Sequence, residues 1–248
     1  MIDVHTHVLV AIDDGAQDLD VSLDMLRAAE LSGVTDIIAT PHVIEKHTAL
    51  KWQQIVSLVD ELQAISINKG INIKIHPGAE LEMNWDILDI LEKTDGIAPY
   101  GLAGSQYLLV ELPASMIPSY ADDFWFEVRM YGMTPVLAHP ERHTELMSKP
   151  HILERWKKEG LLLQCNTSSL TGLYGSTIKR NLEYLIERDY VDFVASDAHN
   201  NKRRNTDVRE CLTILESRYG NAYKNKITQI GQEKILADAK MRTQKNKL

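Results

Sequence analysis

Cysteine is nearly absent from this 248-residue chain, and the two present, Cys165 and Cys211, cannot build a disulfide framework and fit a reducing compartment. Neither suits the cysteine-phosphatase arrangement, which needs an arginine after five intervening residues, because Thr171 and Ser217 stand there instead. No apolar run approaches the roughly 18 residues of a membrane span. Met1 leads straight into Asp3 and His5, so a cytoplasmic protein is expected. Serine, proline and glycine nowhere concentrate into a linker, which favours one domain over residues 1–248. Positive charge is also short: the formal net charge of -8 argues against a nucleic-acid partner, since duplex binding is mostly phosphate neutralisation by clustered lysine and arginine. Two basic clusters stand out. Lys202-Arg203-Arg204, beside Asp197 and His199, suits a small phosphorylated group; Lys240, Arg242, Lys245 and Lys247 belong to a loose, solvated tail expected from about 237.

Against these absences stand nine histidines, five of which follow short, largely apolar runs: Val4-His5-Thr6-His7, Thr40-Pro41-His42, Ala138-His139-Pro140-Glu141-Arg142 and Ser196-Asp197-Ala198-His199. His5 and His7, and again Asp197 and His199, alternate at period two, which aims both side chains of a strand pair the same way. Neutral imidazole with carboxylate is the ligand set of zinc, manganese or iron. Any one of these residues could be an ordinary buried or capping group. Their recurrence at the same place in a repeated unit argues for a metal site.

The repeated unit is strand then helix. Leu19, Leu23 and Leu26 form one apolar helical stripe, as do Trp52, Ile55, Val59 and Leu62, and Tyr120, Phe124, Val128 and Tyr131. Gly33, Gly70, Gly132 and Gly160 close four helices, and each is followed by a short apolar run. Strands are expected at Ile2–Val4, Asp36–Ala39, Ile71–Ile75, Tyr107–Val110, Pro135–Ala138, Leu161–Cys165 and Val191–Ala195. Seven apolar strands alternating with helices predict an α/β fold with a parallel sheet, most naturally a closed or nearly closed barrel. An open, doubly wound sheet is the alternative. Its dinucleotide-binding form would carry a glycine-rich loop after the first strand, where His5-Thr6-His7 stands instead. In a parallel barrel the polar residues ending each strand (His5 and His7, His42, Glu80, Glu111, His139, Asn166, Asp197 and His199) share one face.

Taken together with Ile12-Asp13-Asp14-Gly15-Ala16, Pro77-Gly78-Ala79-Glu80, Glu111-Leu112-Pro113 and Ser196-Asp197-Ala198-His199-Asn200, these motifs resemble the polymerase-and-histidinol-phosphatase (PHP) domain family. The chain is most similar to its branch of manganese-dependent tyrosine phosphatases from capsule and exopolysaccharide operons of Gram-positive bacteria, over about residues 1 to 220. The resemblance implies a distorted TIM-like barrel of seven parallel strands, (β/α)7, holding three metal ions, Mn2+ above other divalent transition metals. It implies that His5, His7, Glu80 and Asp197 hold the first ion, Glu111 and His139 the second with Glu80 as a bridge, and Asp14, His42 and His199 the third. Read from the sequence alone, Asp14 is more readily an ordinary turn residue. The resemblance further implies phosphotyrosine hydrolysis by metal-activated hydroxide on a membrane-associated bacterial tyrosine kinase that regulates polysaccharide synthesis.

Arg142 and Arg204 are the candidates for a phosphate clamp, since a guanidinium fork pairs with two phosphoryl oxygens and stays charged. Arg203 is expected to be a solvated neighbour. Glu141 reads as a residue that orients a ligand or caps a helix rather than as a general acid, and His47, His76, His143 and His151 read as surface or loop residues. The segments 43–50 and 81–90 are expected to be loops that shape the substrate mouth. Two rivals remain: a histidinol-phosphatase-like enzyme acting on small phosphomonoesters, and a catalytically idle metal-binding scaffold that docks a kinase.

Overall fold

The computed structural model describes residues 1–43 and 50–245, so His47 and Lys247 lie outside the described residues. The strands are β1 (Ile2–Thr6), β2 (Asp36–Ala39), β3 (His42–Val43), β4 (Lys74–Pro77), β5 (Glu80–Glu82), β6 (Tyr107–Glu111), β7 (Thr134–Ala138), β8 (Leu162–Asn166) and β9 (Phe193–Ala195). Between and after them run α1 (Leu19–Leu31), α2 (Trp52–Asn68), α3 (Ile87–Thr94), α4 (Ala121–Met130), α5 (Thr144–Ser148), α6 (Pro150–Lys158), α7 (Thr167–Thr171), α8 (Ser176–Glu187), α9 (Arg209–Tyr219), α10 (Asn221–Asn225) and α11 (Gly231–Lys245).

All strand pairs among the described residues are parallel, as the alternation of strand and helix demands, and their hydrogen bonding runs in two sheets rather than in one closed seven-stranded ring. Three strands make one sheet in the order β1-β2-β4, and six make another in the order β3-β5-β6-β7-β8-β9. The cause lies in two interruptions. Pro41, which has no N–H to give a ladder, stands between β2 and β3, and Gly78, where a Cβ would meet Ile38 at 2.7 Å, stands between β4 and β5. Register nevertheless carries across both breaks: Asp36 faces Lys74, Ala39 faces Pro77, and His42 faces Glu80. A parallel bridge between Thr6 and Ala198 links the two sheets beside the site.

Helix faces follow the apolar stripes with local shifts. On α1 the buried residues include Leu23, Met25, Leu26 and Ala29, while Leu19 is largely exposed at the first turn. Asp18 caps that helix by accepting from the Val21 amide at 2.9 Å. The helix-closing glycines Gly33, Gly70, Gly132 and Gly160 all have positive φ, the left-handed geometry for which glycine carries no Cβ penalty. The larger core lies between strands and helices. A smaller one joins Ile2, Val4, Ile38, Leu109, Val136 and Phe193 from both sheets. No helix among the described residues is long and apolar enough to cross a membrane.

The segment from about 237, expected as a loose tail, is instead the second half of α11. Ile235 is fully buried in the smaller core, and Asp238 accepts from the Gln106 amide at 2.7 Å and from Arg242 at 3.0 Å. Counting lysines and arginines hid the apolar anchor preceding them. Ile235→Ala should therefore destabilise the fold by about 2–4 kcal/mol through lost burial and a residual cavity. An unchanged denaturation midpoint would restore the view of a dispensable terminus.

Candidate metal centre

Three intervals of β1, Asp3 to Thr6, are matched by only two intervals of β2, so the strand carries a bulge. Ile2 and Val4 face the smaller core before it; after it His5 and His7 turn toward the same interior instead of away from it. The nine residues implied as metal ligands then converge. His5 Nε2 lies 3.2 Å from His7 Nε2, 3.2 Å from Glu80 Oε2 and 3.5 Å from Asp197 Oδ1. His7 Nε2 is 3.4 Å from the same Glu80 oxygen. His42 reaches Glu80 Oε2 at 3.1 Å and Glu111 Oε1 at 3.2 Å through Nδ1, and Asp14 at 3.5 Å through Nε2. His139 Nε2 meets Glu80 Oε1 at 3.0 Å, and His199 Nε2 meets Asp14 at 3.2 Å.

Ligand atoms of His7, Asp14, His42 and His199 lie within 4.8 Å of one another, as do those of His5, His7 and Glu80, and those of His42, Glu80 and Glu111. His7 and His42 are thus shared between groups, where the sequence reading gave only Glu80 a bridging place. Asp14 is both a turn residue and part of the cluster. Its loop lies against β1, because a Cβ on Gly15 would sit 2.3 Å from the His7 carbonyl oxygen.

The donor set fits cations on a specific observation. Among the described residues, Glu80 Oε2 is buried against three imidazole nitrogens yet makes no hydrogen bond of acceptable geometry. Meanwhile the far nitrogens of two of those rings are engaged: His5 Nδ1 with Gln164 Oε1 and His7 Nδ1 with Asp13 Oδ2, both at 2.8 Å. Those acceptors place the ring protons on Nδ1 and leave the Nε2 lone pairs facing inward. A carboxylate buried against these nitrogens needs positive charge beside it, from ring protons in the metal-free state or from a bound cation.

Electrostatics agree. Burial would raise the Glu80 and Asp197 carboxyls, but His5 and the other surrounding imidazoles, with Arg204 beside Asp197, hold both well below the usual range. Burial would lower His42, yet Asp14, Glu111 and Glu80 push it up to about 10. His199 goes the other way, lowered by burial that Asp14 only partly offsets. Asp14 itself is drawn down by His199 and His42, although its exposure weakens that pull in water. In this state protons sit where cations would displace them.

Several supporting residues were not legible in the sequence. Asp13 accepts from His7, from the His42 amide at 3.1 Å and from the Gly15 amide at 2.9 Å, so the turn chemistry that a DDG stretch advertises also orients two ligands. Asp3, with its carboxyl pushed up to about 6 by burial, accepts from the Ser196 amide at 2.9 Å and ties β1 to the Asp197 turn. Asn166 donates to Asp197 Oδ2 at 2.6 Å. Asp197 and His139 both have positive φ, 50° and 33°, strain of the kind found where a side chain must be aimed. Asp13→Ala should lower metal affinity about 10- to 100-fold while leaving the fold intact, measurable by titration of metal into chelator-stripped protein. Unaltered affinity would reduce Asp13 to a turn residue.

Arg142 Nη1 lies 2.8 Å from Asp197 Oδ2, and Arg204 Nη2 lies 3.0 Å from both Asp197 oxygens, so both candidate clamp residues stand at the cluster. Arg203 is exposed, as expected. Glu141 is fully buried, accepting from the Asn166 amide at 2.9 Å and Ser169 Oγ at 2.7 Å, which suits a residue that orients β8. His151 is exposed at the start of α6. Two other histidines are not surface groups: His143 is buried, donating to the Pro113 carbonyl at 3.0 Å and capping α5, and His76 pairs with Asp36 at 2.9 Å on adjacent strands. Of the expected mouth loops, residues 44–49 lie outside the described residues, and 81–90 hold the end of β5 and the start of α3. Both cysteines are buried, with Cys211 pushed up to about 12, which removes thiolate chemistry.

Comparison with known proteins adds to the geometry. The family described as capsular polysaccharide synthesis, CpsB/CapC, matches residues 1–237. The tyrosine-protein phosphatase YwqE of Bacillus subtilis is 34% identical over 229 residues, covering 92% of this chain and 89% of that protein. The tyrosine-protein phosphatase CpsB of Streptococcus pneumoniae is 28% identical, covering 96% and 99%. A solved structure from work on YwqE and CpsB, described as unique metal-dependent tyrosine phosphatases, superposes with a TM-score of 0.88 at 33% identity, covering 96% of this chain and 95% of that one. A lactonase from Listeria monocytogenes shares the fold alone, with a TM-score of 0.60 at 10% identity.

Proposed function

The chain belongs to the CpsB/CapC capsular polysaccharide synthesis family, and on that footing we propose that it is a metal-dependent protein-tyrosine phosphatase of the cytoplasm. Its substrate would be a phosphotyrosine-bearing bacterial tyrosine kinase that regulates capsule or exopolysaccharide synthesis. The two sheets serve as a distorted (β/α)7 barrel whose strand ends hold three Mn2+ ions through His5, His7, Asp14, His42, Glu80, Glu111, His139, Asp197 and His199. The observation that carries this reading is the Glu80 oxygen buried among three imidazole nitrogens, without a hydrogen bond of acceptable geometry among the described residues.

Bound divalent ions would polarise phosphoryl oxygens and supply a nucleophile from water near neutral pH. The chain's own residues do the rest. Gln164 and Asp13 keep the His5 and His7 lone pairs facing inward. Asn166 and the two arginines fix the Asp197 carboxylate, and the arginines stand where a phosphoryl group would need charge neutralised. A phenolate leaving group, with a pKa of about 10, departs with little protonation, which agrees with Glu141 being tied to Asn166 and Ser169.

Hydrolysis of a phosphotyrosyl peptide and of para-nitrophenyl phosphate should appear on adding manganese to chelator-treated protein and vanish without it. Histidinol phosphate should be turned over poorly. Preference for histidinol phosphate would favour the small-molecule phosphomonoesterase instead, and no turnover of any ester would leave the idle scaffold.

A further inference from the structure

Tyr174 carries a further inference, one that rests on the phosphatase reading. It lies in the turn between α7 and α8, where Gly172 and Gly175 both have positive φ and the Gly175 amide donates to the Gly172 carbonyl at 3.0 Å. That tight turn delivers the side chain to the cluster. The Arg142 guanidinium carbon sits over its ring, 4.9 Å from the centroid. An aromatic face holds a guanidinium without consuming its N–H groups and without neutralising its charge, unlike a carboxylate. Apart from the single bond from Nη1 to Asp197, the Arg142 donors stay uncommitted among the described residues.

Two polar groups of this corner are orphaned. The Tyr174 hydroxyl and Arg204 Nε are both shielded from solvent and have no hydrogen-bond partner among the described residues. The Tyr174 ring carries Arg142, and Arg142 and Arg204 both reach Asp197 Oδ2, so the orphans and the clamp residues share one neighbourhood. Buried donors without acceptors are costly and rare, and two beside a pair of arginines mark a place that an oxygen-rich anion completes.

We propose that Tyr174 belongs to the phosphate-binding apparatus: its ring carries Arg142 in position, and its hydroxyl donates to an oxygen of the bound phosphoryl group.

The test uses full-length, manganese-loaded protein and inorganic phosphate as the probe, with binding followed by calorimetry and metal content by elemental analysis. Tyr174→Phe keeps the ring and should weaken phosphate binding about 3- to 10-fold, the net worth of a typical hydrogen bond. Tyr174→Leu should weaken it about 10- to 30-fold, as the ring contact is lost too. In an Arg142→Ala background, Tyr174→Leu should bind phosphate no more weakly than Tyr174→Phe. Metal content should be unchanged throughout.

Wild-type affinity in Tyr174→Phe would overturn the hydroxyl's part. A difference between the two Tyr174 variants that persists without Arg142 would overturn the ring's. If the protein binds phosphate as described but hydrolyses no ester, the phosphatase reading fails and this one stands. If it hydrolyses phosphotyrosine while the Tyr174 variants bind phosphate normally, only this inference fails.

Discussion

Glu80→Gln will cost about a thousandfold or more in kcat/KM and will lower the metal content of the purified protein, because several kcal/mol of charge stabilisation depend on that carboxylate. The substitution keeps shape and one acceptor, so His139 can still donate to position Oε1. What it removes is the negative charge beside His5, His7 and His42, three rings within 3.4 Å of Oε2. With that charge gone, Asp197 and Glu111 must compensate the cations without the carboxylate that stands between them, and the metal-free fold should survive because the neighbouring imidazoles can shed protons. Circular dichroism and elemental analysis together check both halves. Full metal content with full activity in Glu80→Gln would mean that the carboxylate is structural.

Arg204→Ala should lower turnover of a phosphotyrosine mimic about 100- to 1000-fold while leaving metal content unchanged, the loss expected when a charge-stabilising group is removed from a transition state. Lysine at this position should restore little, since a point charge cannot reproduce a forked contact. The contact of Arg204 Nη2 with both Asp197 oxygens allows a competing role. If the arginine mainly neutralises Asp197, its removal will release metal or lower stability, and activity will return on adding excess manganese. Persistent loss of turnover at saturating metal separates the clamp from that alternative.

The alternation of strand and helix, the helix-closing glycines and the imidazoles and carboxylates at strand ends are readable in the sequence because each depends on local chemistry, apolar period and the left-handed tolerance of glycine among them, whereas Asp14 reads as a turn residue and enters the candidate set only through the family resemblance. Features that depend on long-range geometry are not. Nothing in Val4-His5-Thr6-His7 announces the bulge that turns His5 and His7 inward, which appears only when β1 is laid against β2. Division into two sheets follows from where Pro41 and Gly78 fall relative to the ladders. Asp13 reads as a turn residue because it is one, and its second contact spans the gap to His42. His143 reads as a loop residue because its acceptor, the Pro113 carbonyl, comes from a distant strand end.

The central claim is that residues from seven separate segments surround divalent cations. Anomalous scattering at the manganese edge, from crystals of the manganese-loaded protein, tests it most directly. The account predicts peaks among His5, His7, Asp14, His42, Glu80, Glu111, His139, Asp197 and His199, with none elsewhere of comparable height. An empty cluster in protein that hydrolyses phosphotyrosine would contradict it.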